Sequence, residues 1–319
     1  MAGVWILAES RSQTLELLNV AVGLAGKMGT QVAAFIWDDP QSAQEYIAHG
    51  ADQVLVLPPL TKDQPLETYV PVIVGEARQE DPDIFLVAAT SRLKEMAARI
   101  AARLNTGLCS GCIALQFDES SQGLVMERLV FGGAAVQTVT CTTRPQMATI
   151  APRTFAPATT MADRKGQIRE LKSPSPGLVK ILESKPKVRQ SGDISEAKVL
   201  VCVGRGIEKE EDMALARELA EVVGGELACT RPIAEELHWL PEETYIGLSG
   251  QKVKPDLYIG IGISGQIQHV TGIRDSRLIC AINRDENADI FGMSDYGIVG
   301  DLYSVLPELT RELKQALKK

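Results

Sequence analysis

The chain alternates short apolar runs with segments of helical periodicity, and this alternation restricts its fold more than any other feature. Four apolar runs of strand length occur in the first ninety residues: 4–8 (VWILA), 31–37 (QVAAFIW), 53–57 (QVLVL) and 84–88 (IFLVA). Between them, apolar residues recur at spacings of three and four, as in Leu15, Leu18, Val22 and Ala25. Repeated β-α-β units predict a parallel, doubly wound sheet with helices packed on it.

The same alternation returns after residue 197. Four further strands are predicted at 197–204, 257–263, 277–283 and 296–300, with helices over 208–223 and 301–319. We expect Pro307 to interrupt or kink the start of the last helix. The second half of the chain is therefore also predicted to be an α/β domain.

Two stretches between these blocks have a different character. Residues 105–151 contain successive β-rich runs, which predict a small antiparallel portion that finishes the first domain. Residues 156–192 are rich in Pro, Lys, Ser and Gly, which is typical of a boundary or an extended linker. We therefore predict two domains, 1–190 and 191–319.

Charge and cysteine usage narrow the functional classes. The chain has 41 Asp+Glu against 33 Lys+Arg, a net charge of −8, so we expect no nucleic-acid partner. The N-terminus, MAGVWILAES, lacks the basic region of a signal peptide, and no apolar run reaches about 18 residues, so we predict a cytoplasmic protein without a membrane span. The six cysteines are scattered. Cys109 and Cys112 have C-x-x-C spacing, but no second pair or nearby histidine completes a metal site.

The segment 257–269, LYIGIGISGQIQH, carries the clearest sign of a ligand site. An apolar strand runs into Gly262 and Gly265, and we expect a helix to start at this turn, with Ser264 as its cap or as a phosphate ligand. The spacing is not that of the G-x-G-x-x-G dinucleotide motif. Phosphate binding and a simple tight turn remain equally compatible with the glycines.

Polar residues follow several of the predicted strands. Because ligands gather outside the carboxyl ends of strands in open α/β sheets, Asn283 and Asp301 are candidates for ribose contacts, and Arg205 and Arg231 for anion binding. Each has a simpler interpretation as well. Asp301 alone is more typical of a helix N-cap, each arginine of an exposed charge, and His269 of a structural histidine.

Longer motifs carry a resemblance to a known family. TRPIAEE, IGLSGQKVKPDLYIGIGISGQIQH and AINRDENADIFGMSDYGIVGDLYSVLPELT, together with VGRG, resemble the alpha subunit of electron-transfer flavoprotein over the whole of 197–319. The first domain resembles it more loosely, through AES, ATS, FGGAAVQTV and ATIAPRTF. The resemblance implies two Rossmann-like three-layer domains. The first would be nucleotide-alpha-hydrolase-like and would contact a beta subunit, and the second would bind FAD.

The resemblance also implies a set of FAD-contacting residues in the second domain. Ser249 would offer its hydroxyl near flavin N5, His269 would reach the O2 side of the ring, and Arg231 would lie close to the isoalloxazine. Positive charge and donors there would raise the flavin's one-electron potential, a role we assign to Arg231 and His269. The full predicted set is Arg205, Thr230, Arg231, Ile246, Gly247, Leu248, Ser249, Ser264, Gly265, Gln266, Ile267, Gln268, His269, Asn283, Asp301 and Leu302.

The resemblance implies a heterodimer that carries electrons between flavoenzymes such as acyl-CoA dehydrogenases and an acceptor. Two modes stay open. A simple carrier has one FAD and an AMP in the beta subunit, whereas a bifurcating relative has two FAD and splits NADH electrons between ferredoxin and an enoyl-CoA reductase. The chain has no evident substrate site of its own, so any enzymatic activity would need the beta subunit. An FAD- or NAD-dependent oxidoreductase acting directly on a small substrate, and a nucleotide-binding regulatory module, remain the alternatives.

Overall fold

The structure is a computed structural model that describes residues 3–37, 39–161, 164–175, 177–185 and 194–317. It divides into two compact units, residues 1–185 and 186–319, each of which is described by itself. The predicted domain boundary at 190/191 lies outside the described residues. Both units are mixed α/β structures, which confirms the predicted fold class.

The first unit is built on one nine-stranded sheet. Its strands are β1 (Gly3–Leu7), β2 (Gln31–Ile36), β3 (Gln53–Val56), β4 (Ile84–Ala88), β5 (Leu108–Asp118), β6 (Gly123–Val130), β7 (Ala135–Thr140), β8 (Gln146–Ile150) and β9 (Gln167–Glu170). Its helices are α1 (Arg11–Met28), α2 (Ala43–Ala48), α3 (Val70–Glu80) and α4 (Ser91–Leu104). The spatial order is β7-β6-β5-β8-β4-β1-β2-β3-β9, parallel from β5 through β8 to β9 and antiparallel over β5–β7.

Burial on both faces explains why the central strands are uninterrupted apolar runs. Every residue of β1 and β4 is buried between helices. Trp5 on β1 meets the rings of Phe35 and Phe85 edge-on, with centroids 5.2 and 5.9 Å away, so that neighbouring strands share an aromatic core. Local signals fix the connecting helix: Ser10 accepts from the Gln13 N–H at the start of α1, and Gly29 ends it in the left-handed conformation.

The second unit is a five-stranded, wholly parallel sheet. Its elements are β10 (Val199–Val203), α5 (Met213–Val223), β11 (Glu226–Cys229), β12 (Leu257–Ile261), α6 (Ile267–Ile273), β13 (Ile279–Asn283), β14 (Tyr296–Val299) and α7 (Leu302–Ala316). The order is β11-β10-β12-β13-β14. The chain thus passes from β10 to β11 on one side of it, and then crosses back to β12 on the other side of β10. The carboxyl ends of β10 and β12 are the switch point at which doubly wound sheets open a ligand crevice.

The structure corrects several sequence predictions. Strand β8 is not part of the antiparallel portion, since it pairs in parallel with both β4 and β5. The predicted linker 156–192 contains β9, which joins the sheet beside β3. Helix α7 runs through Pro307 without interruption.

Helix α6 follows the glycine turn, as the sequence predicted, but Ser264 has a different role from the one expected. The helix begins only at Ile267, and Gly265, at φ +89°, turns the chain before it. Ser264 does not cap the helix: its carbonyl instead accepts from the Ile290 N–H at 3.1 Å.

Candidate functional site

A cleft opens at the carboxyl ends of β10, β12, β13 and β14, at the switch point of the second sheet. Its cavity volume is about 60 Å³, so in the chain by itself it is a small depression. Its walls come from the segments that follow these four strands: Gly206, Glu208, Gly262, Asn283, Arg284, Asp301, Leu302 and Tyr303. Of the residues predicted from the sequence, Asn283, Asp301 and Leu302 therefore lie together. Ligands of open α/β sheets bind outside strand ends of this kind.

Two glycines form the floor of this cleft by direct backbone contact. A Cβ at Gly206 would lie 2.5 Å from the Gly262 Cα, and one at Gly262 would lie 2.7 Å from the Gly206 Cα. Gly262 also has φ +61°. Only glycine allows the turns after β10 and β12 to approach so closely, which leaves backbone rather than side chains facing the cleft.

Asn283 and Asp301 line the cleft, and their side chains also hydrogen-bond to backbone groups beside it. Asn283 donates from Nδ2 to the Ile263 carbonyl at 2.8 Å, which fixes the turn after β12 to the end of β13. Asp301 accepts from the Tyr303 N–H at 3.3 Å and caps α7. Asp301 is nonetheless exposed, so its capping role leaves its carboxylate accessible from the cleft.

Next to the cleft, the start of α6 presents polar groups to solvent. Its N-cap residue, Gln266, makes no side-chain capping bond, and Ser264, Gln266, Ile267 and Gln268 are all exposed. The first N–H groups of a helix have no partner within the helix. Because α6 has only seven residues, these individual N–H groups count for more than any helix dipole.

The loop 246–251 packs directly against α6. The Leu248 N–H donates to the Gln268 carbonyl at 2.6 Å, and a Cβ at Gly247 would lie 2.9 Å from the same oxygen. Leu248 and Ser249 point into solvent, and the Tyr245 hydroxyl donates to the Ser249 Oγ at 2.9 Å. The structure therefore joins two stretches that are some twenty residues apart in the sequence into one surface.

His269 lies beneath this surface rather than on it. Its side chain is only 7% exposed, with Nδ1 3.0 Å from the Ile246 carbonyl and Nε2 2.8 Å from the Tyr258 hydroxyl. Burial lowers the pKa of His269 to about 4. In the chain by itself the imidazole is therefore neutral at pH 7, and it can act as a hydrogen-bond donor but not as a positive charge.

Arg205 and Arg231, unlike His269, are exposed and positively charged. Arg231 follows β11 and is exposed, and its Nε donates to the Glu235 carboxylate at 2.6 Å, which raises the pKa of the guanidinium. Arg205 is exposed after β10, and Thr230 donates its backbone N–H to the Val203 carbonyl. Since Cys229 bridges to Tyr245, the end of β11 lies beside the 246–251 loop. Arg231 therefore follows a strand whose end pairs with the residue preceding this loop.

Sequence reasoning missed Tyr245, Tyr258, Arg284 and Tyr303. Tyr258 had a readable signal, because it is a hydroxyl-bearing residue inside the otherwise apolar strand LYIGI, and a buried hydroxyl needs a partner. Tyr245 and Arg284 lie in loops, for which the sequence offers no period, and Tyr303 lies in the first turn of α7, where its hydroxyl bonds Asp212 and the Glu208 N–H.

The geometry defines a doubly wound α/β protein with a cleft at the switch point of its second sheet, and comparison with known proteins specifies the family. Residues 4–176 match the family model described as Electron transfer flavoprotein domain, and residues 193–274 match the Electron transfer flavoprotein FAD-binding domain. The chain belongs to the electron transfer flavoprotein family, on the alpha-subunit side, as the sequence resemblance predicted.

Full-length relatives agree with this assignment. The chain is 39% identical to "Protein FixB" of Clostridium saccharobutylicum, over 99% of this chain and 97% of that protein. It is 37% identical to "Protein FixB" of Escherichia coli O127:H6 and of Shigella flexneri, in each case over 97% of both chains. A solved Mycobacterium smegmatis chain, described as thiamin diphosphate-dependent, aligns with 97% of this chain and 59% of its own length at 11% identity. Its TM-score of 0.23 supports no argument.

Neither a membrane-spanning helix nor a metal-ligand cluster occurs among the described residues. None of the helices in those ranges is long and apolar enough to cross a membrane. Within the same ranges, no group of three or more His, Cys, Asp or Glu side chains is arranged to hold a metal ion.

Proposed function

We propose that this chain is the FAD-binding alpha subunit of a heterodimeric electron-transfer flavoprotein, and that it carries electrons between dehydrogenases, such as acyl-CoA dehydrogenases, and an acceptor. One observation carries the proposal. The switch-point cleft and the uncapped start of α6 both follow β12, and the 246–251 loop packs against α6, in a unit that matches an FAD-binding family model. These three parts suit an adenosine, a pyrophosphate and a flavin ring.

The residues present fit such a dinucleotide. The Asp301 carboxylate can accept from ribose hydroxyls, and the N–H groups of Ile267 and Gln268 can donate to phosphate oxygens. Arg205 and Arg284 add exposed positive charge at strand ends. When bound, FAD would supply the ability to take up and release electrons.

On the flavin side, the chain's own residues would set the electrostatics. Ser249, held by Tyr245, offers a hydroxyl at the exposed tip of the loop. Arg231 offers a permanent positive charge that favours extra negative charge on a nearby ring. The remaining predicted contacts lie after β11, in the 246–251 loop and just before α6. They are Thr230, Ile246, Gly247, Leu248, Gly265 and Gln266.

The experiment that tests the proposal is purification together with a beta subunit, followed by quantification of bound nucleotides. We expect a heterodimer with FAD on this chain. One FAD plus AMP would support a simple carrier, and two FAD with reduction by NADH would support bifurcation involving ferredoxin. A colourless heterodimer, or a chain that turns over a small substrate with no partner, would contradict the proposal. The second result would instead support a direct oxidoreductase.

Arg231 gives a quantitative prediction. We expect Arg231→Ala to lower the one-electron potential of the bound FAD by tens of millivolts, where about 60 mV corresponds to a tenfold change in equilibrium. Glu235→Gln should shift it upward, because it leaves the guanidinium without its carboxylate partner. Potentiometric titration measures both. Arg217→Ala, which removes an exposed positive charge from α5, is the matched control. Equal potentials in all three variants would remove Arg231 from the flavin's surroundings.

A further inference from the structure

A line of polar groups runs through the apolar interior of the second unit and ends at the 246–251 loop. The Cys202 thiol lies beside the hydroxyl of Tyr258, which is fully buried, and that hydroxyl lies 2.8 Å from His269 Nε2. On its other side, His269 Nδ1 lies 3.0 Å from the Ile246 carbonyl. Buried polar groups arranged in this way have no access to solvent, so their partners are fixed by the fold.

The Ile246 carbonyl, which ends this line of groups, determines which atom donates in each hydrogen bond. The Ile246 carbonyl can only accept, so His269 carries its proton on Nδ1 and donates it. In the neutral ring Nε2 is then an acceptor, so the Tyr258 hydroxyl must donate to it. Burial raises the pKa of Tyr258 far above its usual range, which keeps this hydroxyl protonated. The Cys202 thiol, whose pKa is also raised by burial, completes the series as a donor to the Tyr258 oxygen.

We propose that Tyr258 is a positioning residue: its hydroxyl holds His269 as the neutral Nδ1–H tautomer, and His269 in turn anchors the Ile246 carbonyl and the 246–251 loop. Both ring nitrogens are then engaged within the protein. For a flavin bound beside this loop, Tyr258 would act through His269 and the loop that it holds. This consequence for a flavin rests on the proposed function, whereas the tautomer and the anchoring concern the chain alone.

The tautomer is directly measurable, because the chain has only three histidines. Nitrogen-15 NMR of the histidine-labelled full chain at pH 7 should show His269 protonated at Nδ1 and unprotonated at Nε2. In Tyr258→Phe the Nε2 resonance should shift, and the amides of Gly247 and Leu248 should exchange about 2- to 10-fold faster. Cys202→Ala, which removes the first donor but leaves Tyr258 in place, should produce a smaller change in the same direction.

Tyr69→Phe is the matched control. Tyr69 is also fully buried and donates to a backbone carbonyl, that of Pro58 at 2.6 Å, but it belongs to the first unit. A charged or Nε2-protonated His269 in the wild type would overturn the inference. So would loop exchange in Tyr258→Phe equal to that in Tyr69→Phe. If Tyr258→Phe does not fold, the wild-type tautomer and the Cys202→Ala exchange rates decide.

A second readout uses the FAD-loaded heterodimer. Tyr258→Phe should raise the dissociation constant for FAD about 2- to 10-fold and alter the flavin absorption spectrum, whereas Tyr69→Phe should change neither. An unaltered spectrum and affinity in Tyr258→Phe would overturn the effect on the flavin. If the wild-type heterodimer binds no FAD, the proposed function fails, while the tautomer and exchange measurements still decide the role of Tyr258.

Discussion

Gly265→Ala should unfold or severely destabilise the second unit and abolish FAD retention. Gly265 has φ +89°, which L side chains rarely adopt, and an added Cβ would overlap the Ile290 backbone nitrogen and lie 2.5 Å from its Cα. Because backbone rather than a flexible side chain occupies that space, one segment must move. We expect a loss on the order of 3 kcal/mol in the free energy of unfolding. Thermal and denaturant unfolding, with flavin absorbance per heterodimer, measure both effects.

Gly292→Ala is the control for this substitution. Gly292 lies two residues beyond Ile290, is exposed, and has no atom within 4 Å of the position that its Cβ would take. The same change should therefore leave stability within about 0.5 kcal/mol and FAD content unaltered. If Gly265→Ala behaved like Gly292→Ala, the close packing of the turn on Ile290 would be refuted. The proposed placement of phosphate on that turn would then lose its support.

Most of the fold was readable from the sequence because buried parallel strands and amphipathic helices leave strong periodic signals. The runs that became β1, β2, β3 and β4 were each placed to within two residues. The predictions that failed concern strands whose place depends on pairing with strands distant in the sequence. Nothing local in QMATI states that β8 inserts between β4 and β5, and the polar composition around QIRE hides that β9 pairs with β3. Edge strands in particular owe their existence to a neighbour rather than to their own residues.

For the candidate site, the sequence indicated residues at strand ends but not how the side chains around them are buried. Strand ends pointed to Asn283 and Asp301, since the position of a polar residue after a parallel strand is a sequence property. Burial is not such a property. His269 read as a group that reaches a ligand, yet Tyr258 and Ile246 enclose it, and the partner that matters lies eleven residues upstream inside a strand. Whether a histidine is charged or neutral follows from that enclosure.

The neutrality of His269 makes the stability of the second unit depend on pH. Its pKa of about 4 in the folded chain lies below the ordinary value of 6.5, so the unfolded chain binds the proton more tightly. The contribution is therefore fully present above pH 6.5 and is lost progressively as the pH falls towards 4. The difference of about 2.5 pKa units corresponds to roughly 3 kcal/mol, a large share of the stability of an ordinary domain.

His269→Asn tests this linkage, because it removes the titrating ring while keeping an amide donor near the position of Nδ1. The variant should be less stable than the wild type at pH 7, but its unfolding free energy should fall less steeply between pH 6.5 and 4. His238→Asn, which removes an exposed histidine from the same unit, should retain the wild-type slope. Urea denaturation over this pH range measures the slopes, and the His269 ring resonances give the midpoint directly. A midpoint near 6.5, or equal slopes in all three proteins, would mean that the imidazole is open to solvent. Tyr258 could then not be what holds it.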